Sequence, residues 1–237
     1  MLNMPDDRYS KNIEEDKLFW QIVPHYNDAQ DTITQAIRAE FKDREDILNI
    51  LEIGCGTGIT TQKILSAYPK INLTGIDNVD YIAEEAKKRL LEEGRQVNIL
   101  HADALEYLEG QPSESYEVIV SAIVLHNCPV EYRDQVFKEI FRTLKKGGVF
   151  INVDKIAQDD ESEHQEALNW QINEFKKFDD LGHPELREKW TKHYLDDEKP
   201  GIVLYEKDYI NSLTSAGFSE IKNTYRYQME AAYTAKK

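Results

Sequence analysis

Cysteine is scarce in this sequence: Cys55 and Cys128 are the two residues of that type in 237. Cys55 lies within a glycine-rich stretch and Cys128 follows an apolar run, so neither reads as half of a disulfide framework. A reducing compartment is the simpler reading. Long apolar runs are missing too. No stretch approaches the ~18 consecutive apolar residues of a membrane-spanning helix. The opening Met-Leu-Asn-Met-Pro-Asp-Asp-Arg has no apolar run of signal-peptide length. The expectation is a cytoplasmic protein without a membrane segment. Positive charge is also short, with 29 Lys and Arg against 44 Asp and Glu, a formal charge of −15. A field of that sign repels phosphate backbones and anionic membranes, which argues against a nucleic-acid partner. The short basic clusters (Lys87-Lys88-Arg89, Lys145-Lys146, Lys176-Lys177) sit among acids and read as solvated helix faces. Compact histidine pairs of the H-x-x-x-H kind are absent, and His183 and His193 stand ten residues apart. No metal is expected on that ground.

Hydrophobic residues, at 41%, suffice for a real core. The length suits one large α/β domain or one domain with an elaboration. After a polar start, read as mobile, Asp16 to Tyr26 forms an apolar-aromatic patch. A helical pattern follows from Asp28, with Ile33, Ile37 and Phe41 at four-residue spacing. Strands then alternate with helices. The strands are read at Ile47–Ile53, Ile71–Ile76, Val97–His101, Tyr116–Ala122 and Val149–Val153. The helices between them are read at Ile59–Tyr68, Val79–Glu93, Asp103–Leu108 and Glu131–Leu144. That cadence means parallel pairing through right-handed crossovers, in a sheet covered on both faces. Gln158 to Lys199 is charged and helical with large aromatics, and reads as an inserted lid. A helix from Tyr205 to Ala216 and two short strands, Ile221–Tyr227 and Ala231–Thr234, end the chain.

The chemistry concentrates in the turn Gly54-Cys55-Gly56-Thr57-Gly58. Glycines there let the backbone turn tightly and approach a ligand at the start of the following helix. The dinucleotide pattern G-x-G-x-x-G needs glycine at position 59, where this sequence has Ile59. Asp77 ends the second strand about 20 residues on, where an acid accepts from both hydroxyls of a ribose. A helix cap by Asp77 or Asn78 is the other reading. Asp103 ends the third strand beside Ala104, positioned for the exocyclic amine and ring of an adenine. Three acids, Glu52, Asp77 and Asp103, thus fall at three successive strand ends.

Leu51-Glu-Ile-Gly-Cys-Gly-Thr-Gly58, Asp77, Asp103, Ser121-Ala-Ile-Val-Leu-His-Asn127 and Leu144-Lys-Lys-Gly-Gly148 resemble the successive motifs of class I S-adenosylmethionine (SAM) dependent methyltransferases. The nearest likeness is to the small-molecule branch of methyltransferase type 11/12 and domain-25 proteins. It covers about residues 45 to 155, with Lys146 standing where many members have proline. The resemblance implies a Rossmann-like, mostly parallel seven-stranded sheet of order 3-2-1-4-5-7-6 with the last strand antiparallel. It implies SAM as cofactor and S-adenosylhomocysteine as product. Glu52 would lie near the cofactor's amino group, with Gly54, Cys55 and Gly56 against methionine and ribose. Asp77, with Asn78 beside it, would hold the ribose, Asp103 and Ala104 the adenine, and Ser121 and Ala122 the methionine end.

Methyl transfer from a sulfonium needs alignment, exclusion of water and, for a protonated acceptor, a base. His126 is placed to face the methyl group or its acceptor; a loop histidine packed against the lid is the alternative. Asp154 is a second candidate, for orienting substrate. Trp170, Trp190, Tyr194, Tyr225 and Tyr227 read either as lid core or as a cage for a cationic group. Tyr26 and its patch would fold over the cofactor. The division is a cap segment at 1–28, a cofactor-binding core at 29–157, a helical lid at 158–200, and residues 201–237 completing the sheet. The expected function is methyl transfer to a small-molecule acceptor. The alternatives are a SAM-binding relative with other chemistry (carboxy-SAM synthase-like or tRNA-modifying) and a non-catalytic SAM-binding module. The oligomeric state stays open, a homodimer being one option.

Overall fold

The computed structural model describes residues 13–23, 25–94 and 97–237. The polar start expected from the sequence lies largely outside them. Seven strands form one sheet: β1 (Leu48–Ile53), β2 (Ile71–Asp77), β3 (Asn98–His101), β4 (Tyr116–Ala122), β5 (Leu144–Lys155), β6 (Ser219–Tyr227) and β7 (Glu230–Lys236). Their order is β3-β2-β1-β4-β5-β7-β6. The first five are parallel, and β7 runs antiparallel between β5 and β6. These are the order and strand directions that the resemblance implies.

Strands of alternating but uniformly apolar side chains need cover on both faces. On one face Leu48, Ile50, Val118 and Val120 pack under Ile33 and Ile37 of α2 (His25–Phe41) and Ile64 of α3 (Ile59–Ala67). On the other, Leu51, Ile53 and Ile119 pack under α6 (Val130–Thr143) and α10 (Glu206–Ala216) through Phe137, Ile140, Tyr209 and Leu213. Two shorter helices, α4 (Asp80–Glu92) and α5 (Ala104–Glu109), link β2 to β3 and β3 to β4.

A third core has no sheet at its centre. The patch expected at Asp16–Tyr26 folds as helix α1 (Ile13–Ile22) and the start of α2, with Glu14, Glu15 and Asp16 in the first turn of α1. Acids there suit the positive end of the helix. Phe19, Ile22 and Val23 bury themselves against α7 (Glu161–Glu174), α8 (Lys177–Asp180) and α9 (Pro184–Asp196), through Leu168, Phe175, Phe178 and Trp190. Helix α2 runs through the boundary drawn at 28/29.

The fifth strand is longer than Val149–Val153. It begins at Leu144, opposite Tyr116, and its register slips before Val118 pairs with Val149. Gly147 has φ +73, and a Cβ on Gly148 would lie 2.8 Å from the Lys145 carbonyl. The two glycines therefore lie in a bulge inside the strand, and the helix ends before them, at Thr143.

Candidate active site

The carboxyl ends of β1 to β5 border a cavity of about 210 Å³, in the crevice where open α/β sheets take ligands. Its base is the β1–α3 turn. Gly54 has φ +68, and a Cβ there would lie 2.3 Å from Val124 Cγ2. Glycine is needed at that position twice over, for the turn and for the close approach. The Gly54 and Cys55 amides donate to the Ile76 carbonyl at 2.8 and 2.9 Å, which pins the turn to β2. The Cys55 thiol packs against Gly75 in a cluster with Ala83, Ala86 and Ile99. Burial pushes that thiol up, so it is a neutral packing group.

Asp77 closes the turn. Its Oδ2 accepts from the Gly56 amide at 2.9 Å and its Oδ1 from Val79 at 3.0 Å. Asp77 thus lines the cavity and holds the amide of Val79, the residue before α4, without capping the helix itself. Burial pushes its carboxyl above the ordinary range, against the pull of those amides. Asp103 does cap α5: Oδ1 accepts from Leu105 and Glu106 amides at 3.0 and 3.1 Å, and from the Tyr132 hydroxyl at 3.0 Å. Its Oδ2 and the Ala104 amide take no part in those bonds.

Ten of the twelve residues singled out from the sequence line the cavity: Gly54, Cys55, Gly56, Asp77, Asn78, Asp103, Ala104, Ala122, His126 and Tyr26. Glu52 and Ser121 do not, and both are fully buried. Glu52 Oε2 accepts from the Thr61 hydroxyl at 2.7 Å, while Oε1 has no partner among the described residues. Burial holds its carboxyl up at about 8 against the pull of that hydroxyl. Ser121 Oγ likewise has no partner among the described residues.

The other end of the cavity is polar and aromatic. Past β4 the chain turns at Ile123, a β-branched residue at φ +58. Such a conformation costs of order 1–3 kcal/mol and persists where the surroundings impose it. It brings His126 back over β5. There Asp154 Oδ1 accepts from His126 Nδ1 at 2.6 Å, and Oδ2 accepts from the His126 amide at 3.2 Å. Asp154 therefore orients the histidine. Lys155 Nζ donates to Asp197 Oδ2 at 2.7 Å and stands 4.4 Å from the Tyr194 ring centre. His193 Nε2 and His126 Nε2 lie 3.4 and 3.7 Å from the same Asp197 oxygen. The sequence gives no H-x-x-x-H pair, yet one ligand atom each from His126, His193 and Asp197 lie within 4.8 Å of one another.

Helix α1 covers the cleft. The Thr57 hydroxyl donates to the Asp16 carboxylate, joining α1 to the glycine turn. The Trp20 and Tyr26 rings stack with centroids 5.7 Å apart, and Phe19 meets Trp190 of α9 at 4.4 Å. Of the five aromatics expected near the cleft, Trp190 and Tyr194 line it, while Trp170 packs edge-on against Tyr227 and the Tyr225 hydroxyl donates to the His25 carbonyl. Tyr132, Lys155, His193 and Asp197 were not singled out as site residues from the sequence. Lys155 follows Asp154 at a strand end and was within reach of the same reasoning. His193 and Asp197 carry one local signal, H-x-x-x-D spacing on a helix that nothing local ties to the cleft.

The donors and spaces fit an adenosyl amino acid: a glycine turn with no room for side chains at Gly54, two acids at consecutive strand ends, and the orphaned oxygen of Glu52 behind the turn. A family described as a methyltransferase domain matches residues 50–148. A carboxy-S-adenosyl-L-methionine synthase of Nautilia profundicola is 23% identical over 220 residues, covering 93% of this chain and 89% of that protein. A malonyl-[acyl-carrier protein] O-methyltransferase of Brevibacillus brevis is 26% identical over 198 residues, covering 84% and 64%. The crystal structure of the CurJ carbon methyltransferase superposes with a TM-score of 0.65 at 16% identity. It covers 87% of this chain, which in turn spans about half, 53%, of that one. The chain is thus similar to the class I SAM-dependent methyltransferases, enzymes whose cofactor is S-adenosylmethionine, with the methyltransferase-domain match spanning residues 50–148.

Proposed function

We propose that this enzyme transfers the methyl group of SAM to a small-molecule acceptor by in-line displacement, releasing S-adenosylhomocysteine. The observation that carries the reading is the continuity of the cavity, which runs from Asp77 and Asp103 to His126, Lys155 and Trp190. In this reading Asp77 and Asn78 hold the ribose, Asp103 and Ala104 the adenine, and Gly54, Cys55 and Gly56 the methionine and ribose. Ser121 and Ala122 flank the methionine end, with Tyr26 over the cofactor. Glu52 balances the cofactor's positive charge from behind the turn. When bound, SAM supplies an already activated methyl group; the chain's own residues align the partners and exclude water. His126 serves the acceptor, its ring fixed by Asp154. Residues 158–200 act as the lid that shapes the acceptor's space, 1–28 as its cap, 29–157 as the cofactor core, and 201–237 as the sheet's completion.

The net charge of −15 disfavours a nucleic-acid acceptor. No helix among the described residues is long and apolar enough to cross a membrane. A carboxy-SAM synthase-like reaction is the second reading, favoured by a likeness that runs through 93% of the chain. One assay separates the two. The full-length protein is incubated with SAM and fractionated small-molecule extract, and the nucleoside products are identified by mass spectrometry. Methyl transfer gives S-adenosylhomocysteine with a methylated acceptor; a carboxylated sulfonium nucleoside, or no turnover in any fraction, contradicts it.

A further inference from the structure

We propose that His126, His193 and Asp197 form a binding site for one divalent first-row transition-metal ion. The three come from separate parts of the fold: His126 from the loop after β4, His193 from the last turn of α9, and Asp197 from the position capping that helix. All three are buried, and His126 and His193 line the main cavity.

Geometry is the first support. Metal–ligand distances of about 2.0–2.2 Å allow ligand atoms up to roughly 4.2 Å apart. The two His–Asp separations, 3.4 and 3.7 Å, fall inside that limit. The whole set lies within 4.8 Å, so a pair at that limit must approach by at least about 0.6 Å to share one ion. The second support is the hydrogen-bond pattern. A carboxylate only accepts, so the short contact to Asp154 places a proton on His126 Nδ1. The opposite ring nitrogen, Nε2, lies 3.7 Å from Asp197 Oδ2. A carboxylate holding the far nitrogen of a histidine is also the outer shell that orients metal-ligating imidazoles.

Charge and donor type narrow the occupant. The buried Asp197 carboxylate takes the Lys155 ammonium and stands near both imidazoles, while the buried Asp154 holds His126. Two imidazoles with one carboxylate suit zinc, iron, cobalt or manganese, and not calcium or magnesium. Three protein ligands leave positions open toward the cavity. The role of the ion, though not its binding, rests on the methyl-transfer reading: there it holds an oxygen of the acceptor and weakens that oxygen's hold on its proton. Lys155 shares Asp197 and so opposes the metal, which gives the proposal a distinctive sign.

The test uses the tag-free, full-length protein stripped with chelator and titrated with Co²⁺ alone, read by visible d–d absorption and by stoichiometry. One ion per chain is expected. His193→Ala should weaken binding at least tenfold, and Asp154→Asn, which removes the outer shell, by about 10–100-fold. Lys155→Met should bind Co²⁺ more tightly than the wild type. Circular dichroism establishes that each variant is folded, and an unfolded one is replaced by His193→Gln. Absence of bound Co²⁺ at millimolar concentration overturns the proposal, as does binding that none of the substitutions alters. SAM titration of the metal-free protein, run alongside, tests the cofactor reading separately.

Discussion

The two ends of the cleft are built in different ways. The proposed cofactor end is local: Glu52, the glycine turn, Asp77 and Asp103 sit on three consecutive β/α units, with Asp77 and Asp103 held by amides of the next few residues and Asp77 also by Gly56 one strand over. The proposed acceptor end is assembled at long range. There Phe19 of α1, His126 after β4, Lys155 of β5 and Trp190, His193 and Asp197 of α9 meet across the fold. A site made by the backbone of a turn tolerates little change and takes one ligand. A site made by side chains on a separate core can change its ligand while the sheet stays the same.

This contrast can be broken by substitution at either end. The largest effect is expected at Gly54→Ala. An added Cβ at φ +68 and 2.3 Å from Val124 should cost about 2–4 kcal/mol of stability and abolish SAM binding. Thermal unfolding and calorimetry check it; a variant that binds SAM normally would show that the turn is not the cradle. Next comes His126→Ala, which should lower turnover by about 100-fold or more while leaving SAM affinity unchanged. Loss of SAM affinity there would erase the distinction between the two ends.

A smaller effect is expected from pH. Burial holds the folded-state Glu52 carboxyl at about 8, above its ordinary value of 4.5. Between those values the folded protein keeps a proton that the unfolded chain has lost. The free protein's stability from this group is therefore greatest at low pH and falls as pH rises through the window. SAM carries positive charge and favours the ionised carboxylate, so its affinity should rise toward pH 8, by no more than about tenfold per unit. Glu52→Gln should flatten both slopes. Calorimetry across the window reads the result, and a wild-type affinity independent of pH would remove Glu52 from the cofactor's surroundings.

The same contrast governs what the sequence made legible. Periodic apolar runs gave the sheet because each strand is buried on both faces, as Ile50 and Leu51 show by facing opposite cores. The glycine turn and the two acids were legible because their partners lie within a few residues, or one strand over. Asp16, Tyr132 and Asp197 were not, since each acts through a residue more than 25 positions away in the chain. The bulge at Gly147–Gly148 was hidden for a related reason: glycine after a helix signals its end, and only pairing with β4 reveals the strand that continues.

The central claim, that SAM sits on the ends of β1 to β3, is tested most directly by calorimetry of SAM with the wild type and Asp77→Ala. The wild type should bind one equivalent. The variant, still folded by its thermal transition, should bind more weakly by roughly 1–3 kcal/mol, because the ribose hydroxyls lose their acceptor. Equal affinity in the two proteins would contradict the assignment.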